Sequence, residues 1–123
     1  MTIDNGIEKA KILLSKNKFE EAKVIFQKIL QNEPGNYKAH TNIGAIFLKQ
    51  NKFDDAEKSF KDAINLKPDF VIAFYNLGIV QTKIGKLDLA EKSFKEAISL
   101  KKDYVEAYAS LGNIYLKQEQ FDK

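Results

Sequence analysis

The chain contains no cysteine and no arginine, and each absence excludes or disfavours a class of function. Without cysteine it can form neither a disulfide, a thiolate metal site nor a thiol nucleophile. Without arginine it lacks the planar guanidinium that binds phosphate or carboxylate through paired hydrogen bonds, which disfavours a phosphopeptide or RNA reader. No apolar run approaches membrane-spanning length, and the start has no basic segment followed by an apolar one. These features predict a cytoplasmic protein that does not bind a membrane.

The charge is balanced rather than concentrated in one region. Its 20 lysines and 17 acidic residues are mixed along 123 residues and leave a net charge of +3, which argues against a nucleic-acid partner. The single histidine, His40, has no carboxylates around it at ligating spacing, so we predict a packing role, no metal site and no cofactor. Since no nucleophile motif or glycine-rich phosphate loop occurs either, we predict that the chain is not an enzyme. A chain of this length predicts one domain, residues 1–123.

The strongest signal is a repeat with a period of 34 residues. The sequence FEEA at residues 19–22 recurs as FDDA at 53–56 and as LDLA at 87–90, and FDK at 121–123 begins it again. A fixed period of this length is typical of a solenoid, in which each unit buries its apolar face only against its neighbours. Three kinds of residue keep the same register: Ala22, Ala56 and Ala90; Phe26, Phe60 and Phe94; Gly44, Gly78 and Gly112.

Each period divides into two helical patterns. Apolar residues recur at spacings of three and four, which indicates a helical stripe rather than a strand. Asn17, Asn51 and Gly85 stand at the break between the two patterns, where a left-handed residue ends a helix. Pro34 and Pro68 stop the second pattern. The sequence therefore predicts an all-α fold with helices near residues 5–16, 19–32, 37–50, 53–66, 71–84, 87–101 and 105–118.

The recurring glycines predict close packing between helices. A glycine in the middle of a helix costs about 1 kcal/mol relative to alanine, so its recurrence indicates a geometric use. We predict that Gly44, Gly78 and Gly112 let a neighbouring helix approach closely, and that the recurring phenylalanine fills the space beside each of them.

The residues of the repeat resemble a known family. The pattern Tyr108-x-x-Leu111-Gly112-x-x-Tyr115, together with Ala90-x-x-x-Phe94-x-x-Ala97 in the preceding unit, resembles the tetratricopeptide repeat, or TPR. The resemblance covers three full units, at about residues 3–36, 37–70 and 71–104, and the first helix of a fourth unit at 105–123. One departure is Gln81, which stands at an aromatic position. The resemblance implies a right-handed superhelical solenoid of antiparallel helix pairs.

The resemblance also implies a function. Members of the family form a concave groove, lined by the first helix of each pair, which binds a peptide or a partner protein and performs no chemistry. The expected function is therefore a protein-interaction scaffold; the alternative is an accessory or regulatory region of a larger enzyme, such as a glycosyl- or sulfo-transferase. The positions that usually face the groove map onto the ten residues that we predict as the site: Thr41, Asn42, Lys49, Ile72, Tyr75, Asn76, Ile79, Lys83, Asn113 and Lys117. Further positions that usually face it are Ala45, Leu48, Thr82, Glu106, Ala109, Ser110 and Leu116.

Two ladders run along these positions, and each has two interpretations. Asn42 and Asn76 could hydrogen-bond the backbone of an extended peptide, because an amide side chain both donates and accepts, or they could simply be solvated. Lys49, Lys83 and Lys117 could form a positive stripe that attracts an acidic segment, or they could be an ordinary solvated face.

The apolar groove positions are equally open to two interpretations. Ile72, Tyr75 and Ile79 could hold an amphipathic or extended partner segment, or they could pack between successive helices.

Family members that bind chaperone tails grip a terminal carboxylate with basic residues and asparagines. The matching positions here are Ile7, Lys11, Asn42, Ile72 and Asn76, with isoleucine where two basic residues are expected. We therefore predict no specific grip on such a tail.

The last repeat begins without its second helix in this sequence. Tyr108, Leu111 and Tyr115 should then lack the surface against which they pack, a loss of order 5 kcal/mol if all three are affected. Either further repeats follow in a longer protein, or this face docks on a second copy to give a homodimer.

Overall fold

The computed structural model describes residues 2–122, and over that range the chain forms seven α-helices and no strand. Successive helices pack against each other, and contacts also join α3 to α5 and α5 to α7. Among the described residues no helix is both long and apolar enough to cross a membrane. The helices are α1 (Ile3–Ser15), α2 (Phe19–Asn32), α3 (Tyr37–Lys49), α4 (Phe53–Leu66), α5 (Val71–Lys83), α6 (Leu87–Leu100) and α7 (Val105–Asp122).

Local chemistry explains where α3 begins and where α1, α3 and α5 end. Asn36 caps α3, because its side chain accepts a hydrogen bond from the Ala39 amide at 3.0 Å. At the breaks the backbone turns left-handed, with φ of 58° at Asn17, 61° at Asn51 and 83° at Gly85. Asparagine and glycine tolerate that conformation better than other residues, which is why the pattern marked these positions correctly.

Six of the seven predicted helices agree with the structure to within two residues, and the seventh begins at residue 105 as predicted but ends four residues later than predicted. The repeat predicted a break near residue 118 and a new helix from Phe121. Instead α7 continues through Phe121 to Asp122, and Lys123 lies outside the described residues. The position equivalent to Gly85 is occupied by Glu119, which disfavours the left-handed conformation that the break requires.

The core repeats with the sequence. The recurring alanines and phenylalanines are fully buried in all three pairs. A Cβ added to Gly44 would lie 2.6 Å from the Phe60 ring, and one added to Gly78 would lie 2.7 Å from the Phe94 ring. These two glycines therefore make room for the aromatic ring of the next helix, as predicted. The third, Gly112, has no such neighbour among the described residues, because none of their atoms in a neighbouring element lies within 4 Å of a Cβ added there.

Polar contacts tie neighbouring pairs together. The Gln50 amide donates a hydrogen bond to the Glu20 carboxylate at 2.8 Å, and the carboxylate of the buried Glu57 accepts one from Lys86 at 3.2 Å. Gln81, which replaces an aromatic residue, is buried, and the Ser93 hydroxyl donates to its carbonyl oxygen at 2.6 Å. The carbonyl oxygen of the buried Gln81 therefore has a hydrogen-bond partner in the core.

Candidate functional site

Most of the residues that line two pockets lie on α1, α3, α5 and α7, which are the first helix of each pair and the unpaired last helix. The first, of about 600 Å³, lies across α1, α3 and the start of α5, and we call it the N-terminal groove pocket. The second, of about 370 Å³, is lined mainly by α5 and α7, and we call it the C-terminal groove pocket.

The N-terminal groove pocket contains three of the predicted site residues, Thr41, Asn42 and Ile72. Thr41 is buried, and its hydroxyl donates to the Tyr37 carbonyl at 2.9 Å within the helix. Ile72 is 46% exposed in spite of its apolar side chain. The full lining is Ile7, Glu8, Lys11, Lys38, Thr41, Asn42, Phe70 and Ile72.

The C-terminal groove pocket contains four more of the predicted residues, Ile79, Lys83, Asn113 and Lys117. Its character is more polar, because hydroxyl and amide side chains from both helices reach it. The full lining is Ile79, Thr82, Lys83, Phe94, Ser110, Asn113, Leu116, Lys117 and Gln120.

The remaining three predicted residues, Lys49, Tyr75 and Asn76, line neither pocket. The ring of Tyr75 is partly buried and stacks on Tyr104 with centroids 5.1 Å apart, and it lies 5.7 Å from Phe94. This ring packs between helices, whereas its part in binding stays a prediction.

The two asparagines of the predicted ladder are not equivalent. The Asn42 amide nitrogen donates to the Lys38 carbonyl at 2.9 Å, which leaves its oxygen and one N–H for a ligand. Asn76 forms no side-chain hydrogen bond within residues 2–122. A hydrogen bond to its own helix therefore holds the Asn42 amide in place, whereas no such bond fixes the half-buried Asn76 amide within residues 2–122.

The predicted lysine stripe carries unneutralised charge. Lys49, Lys83 and Lys117 are exposed, and none of them pairs with a carboxylate within the described part of the chain. Lys58 and Lys95, on the second helices, instead pair with a carboxylate one turn away, at 3.0 Å and 3.4 Å. The hydrogen bond and charge of Glu91 raise the pKa of Lys95. The stripe is thus available to an anionic ligand.

Sequence reasoning left several lining residues out of the site. Lys38 stands one period before Ile72, and Glu8 stands one period before Asn42, so the register of the repeat could have found both. Phe70 comes directly before α5 and had no such signal, because the predicted groove positions lie within helices. The other lining residues outside the predicted groove positions are Ile7, Lys11, Phe94 and Gln120, of which Ile7 and Lys11 match positions of the chaperone-tail pattern.

A separate surface lies on α7, and we call it the open face of α7: Tyr108, Leu111, Gly112 and Tyr115. Tyr108 is 50% exposed and its hydroxyl donates to the Lys102 carbonyl at 3.0 Å, while Tyr115 is 45% exposed. Leu111 is partly buried against the neighbouring core. The face therefore combines exposed aromatic rings with the empty space above Gly112.

The described residues contain no group of three or more histidine, cysteine or acidic side chains that could hold a metal ion. A ring nitrogen of His40 lies 3.1 Å from the Pro34 carbonyl, a contact within the turn and the start of α3. What the two pockets offer is apolar surface, amides and ammonium groups, which suits binding.

Helix pairs stacked in tandem, with alternate helices lining a shared groove, define an all-α solenoid. Residues 13–84 match the family model of the tetratricopeptide repeat, and residues 82–119 match a further TPR repeat model. The chain therefore belongs to the tetratricopeptide repeat family, and its described part comprises three helix pairs and one further helix. No curated protein matches the chain in sequence.

Three solved structures share this fold. The first TPR domain of Spaghetti (RPAP3), bound to the HSP90 peptide SRMEEVD, gives a TM-score of 0.91 at 23% identity over 95% of this chain and 93% of that one. The Sgt2 TPR domain from Aspergillus fumigatus gives 0.92 at 15% identity over 98% and 81%. The second TPR domain of human RPAP3, in complex with the HSP70 peptide SGPTIEEVD, gives 0.84 at 23% identity over 93% and 98%. The predicted right-handed solenoid of antiparallel helix pairs is thereby confirmed.

Proposed function

We propose that this chain is a non-catalytic scaffold that binds an acidic, amphipathic segment of a partner protein in its groove. One observation carries the proposal: the two groove pockets combine apolar side chains with four lysines and a single carboxylate, Glu8. A cationic surface raises the local concentration of acidic ligands, and the apolar side chains then supply contact area. The proposal treats residues 1–123 as one domain acting in the cytoplasm.

The solved structures support a peptide as the ligand. Two domains of the same fold are bound to the peptides SRMEEVD and SGPTIEEVD, and both peptides carry adjacent acidic residues. This chain has the same fold as those two domains, and the lysines that line its groove outnumber the carboxylates. An acidic segment therefore complements the charge of the groove.

The experiment compares charge reversals on the two sides of the molecule. We expect the variant Lys83→Glu/Lys117→Glu to bind an acetylated peptide of alternating glutamate and leucine at least tenfold more weakly, because it reverses the charge of the C-terminal groove pocket. The matched control, Lys28→Glu/Lys92→Glu, makes the same change in net charge on α2 and α6. Equal losses in both variants, or binding unchanged between low and high salt, would contradict the proposal.

A specific grip on chaperone tails is not part of the proposed function. Ile7 and Ile72 replace the basic residues that such a grip needs, and both line the N-terminal groove pocket. We expect an EEVD-terminated peptide to bind no more tightly than the same peptide with an amidated end. Low-micromolar affinity that is abolished by Lys11→Ala would show that a carboxylate grip exists after all.

Self-association is the second candidate function, through the open face of α7. The space above Gly112 favours it, because the equivalent Gly44 and Gly78 are each covered by a phenylalanine ring. Light scattering over a concentration series should show a dimer that is lost in Tyr108→Ser/Tyr115→Ser. A strict monomer at high concentration would rule this candidate out and leave the groove unaffected.

A further inference from the structure

The N-terminal groove pocket has an apolar wall that is built in advance. Phe70 precedes α5, and its ring meets the ring of Tyr37 edge to face, with centroids 4.9 Å apart. The backbone amide of Phe70 donates to the Lys67 carbonyl at 3.1 Å, so the residue is fixed at both its backbone and its side chain. A wall that is already ordered costs a ligand little conformational entropy on binding.

Two isoleucines complete this wall from different helices. Ile7 comes from α1 and is partly buried, while Ile72 comes from the first turn of α5 and is 46% exposed. Ile72 therefore presents an aliphatic side chain to water at the mouth of the pocket. Covering it with another apolar side chain is favourable, whereas a charged group placed against it would lose water without gaining a partner.

The rim of the pocket is cationic. Lys38 has no carboxylate partner within residues 2–122, and Lys11 lies 3.8 Å from Glu8 with both side chains well exposed, which makes that ion pair weak. Asn42 stands beside them with its carbonyl oxygen and one N–H still free. The rim thus offers two ammonium groups against one carboxylate.

From this arrangement we infer that the N-terminal groove pocket takes a bulky apolar side chain, leucine or larger, that is flanked in the partner by acidic residues. The apolar side chain covers Ile72 and contacts Ile7 and Phe70, and the flanking carboxylates meet Lys38 and Lys11. The inference rests on the proposed function and adds the position and the kind of anchor residue. It also assigns different roles to the two pockets, since the C-terminal one is lined by more hydroxyl and amide groups.

The test is a double-mutant cycle between peptide and protein. The probe is the acetylated and amidated peptide Asp-Glu-Leu-Glu-Asp, and the comparison peptide has alanine in place of leucine. In the parent protein we expect the alanine peptide to bind at least about tenfold more weakly, the ratio that corresponds to burying a leucine side chain. In Ile72→Ala this difference should shrink to about twofold. Binding is followed from the chemical shifts of the isoleucine methyl groups by NMR.

Two controls make the result specific. Ile12→Ala removes another exposed isoleucine, on α1 and outside both pockets, and should keep the full leucine-to-alanine difference. Lys38→Glu should weaken the binding of both peptides by the same factor, whereas Lys92→Glu should leave the affinity of both unchanged. The methyl groups of Ile7 and Ile72 should shift on titration, and that of Ile12 should not.

The outcomes separate the inference from the function on which it rests. If both peptides bind in a salt-dependent way but Ile72→Ala leaves the leucine preference intact, the groove function stands and the inference about this pocket is wrong. If methyl shifts occur at Ile79 and not at Ile7 or Ile72, the anchor lies in the other pocket. If neither peptide binds at millimolar concentration, the inference and the proposed function fall together.

Discussion

At the scale of the residue, the same repeat position has different surroundings along the chain. Gly44 and Gly78 each face a fully buried phenylalanine ring, whereas Gly112 faces open space. The 34-residue register identified all three glycines and the close approach at two of them. For Gly112 the sequence held two expectations, a close approach of a neighbouring helix and an uncovered face on the last helix, and the structure agrees with the second.

This difference predicts opposite effects of one substitution. Gly78→Ala should destabilise the fold by about 1–2 kcal/mol, because its Cβ would collide with the buried Phe94 ring and overpacking exceeds the gain in helix propensity. Gly112→Ala should instead stabilise the fold by about 0.5–1 kcal/mol, since the added Cβ meets no neighbour within 4 Å in the described part of the chain and only the gain in helix propensity remains. Urea unfolding at low protein concentration measures both. Shifts of the same sign in the two variants would show that this account of the glycines is wrong.

At the scale of the element, the repeats are joined by polar contacts that run between helices. The carboxylate of Glu20 at the start of α2 accepts a hydrogen bond from Gln50 at the end of α3, and Lys23 lies 3.1 Å from the same oxygen. These contacts lower the pKa of Glu20, with the Gln50 hydrogen bond as the largest cause and Lys23 next. Because both contacts favour the charged form, they stabilise the folded state only while Glu20 is ionised.

The lowered pKa of Glu20 determines how its contribution to folding stability changes with pH. Glu20 has a lower pKa in the folded state than in the unfolded chain, so its contribution is complete above the unfolded pKa and is lost as pH falls through the folded pKa. We expect both Gln50→Ala and Lys23→Ala to raise the folded pKa of Glu20, because each removes a group that favours the ionised carboxylate. A carboxyl titration followed by NMR measures both values. An unchanged pKa in Gln50→Ala would contradict the assignment of the Gln50 hydrogen bond as the largest single cause.

The helix ends show which features of the fold could be predicted from the sequence alone. Asn17, Asn51 and Gly85 predicted three ends correctly, because left-handed backbone restricts the residue type. The prediction failed at Glu119, where the period was followed although the residue did not suit the conformation. For the site, the register placed seven of the ten predicted residues in the two pockets. It left open whether Tyr75 faces the groove or packs between helices, since period alone does not fix the rotation of a helix or the orientation of a ring.

At the scale of the whole molecule, the stacked pairs place chemically different surfaces on different sides. The groove pockets combine exposed aliphatic side chains with Lys38, Lys83 and Lys117, which have no carboxylate partner among the described residues. On the second helices, Lys58, Lys61 and Lys95 each pair with a carboxylate of their own helix. The open face of α7 is apolar and lies apart from the N-terminal groove pocket. A solenoid can therefore present two independent binding surfaces, because each helix contacts only its near neighbours.

The central claim is that the groove holds an acidic, amphipathic segment, and backbone NMR shift mapping with the Asp-Glu-Leu-Glu-Asp peptide tests it most directly. The account predicts that the perturbed amides lie on α1, α3, α5 and α7 and cluster around the two groove pockets, and that the shifts diminish as salt is raised. Perturbations confined to α2, α4 and α6, or shifts that do not depend on salt, would contradict it.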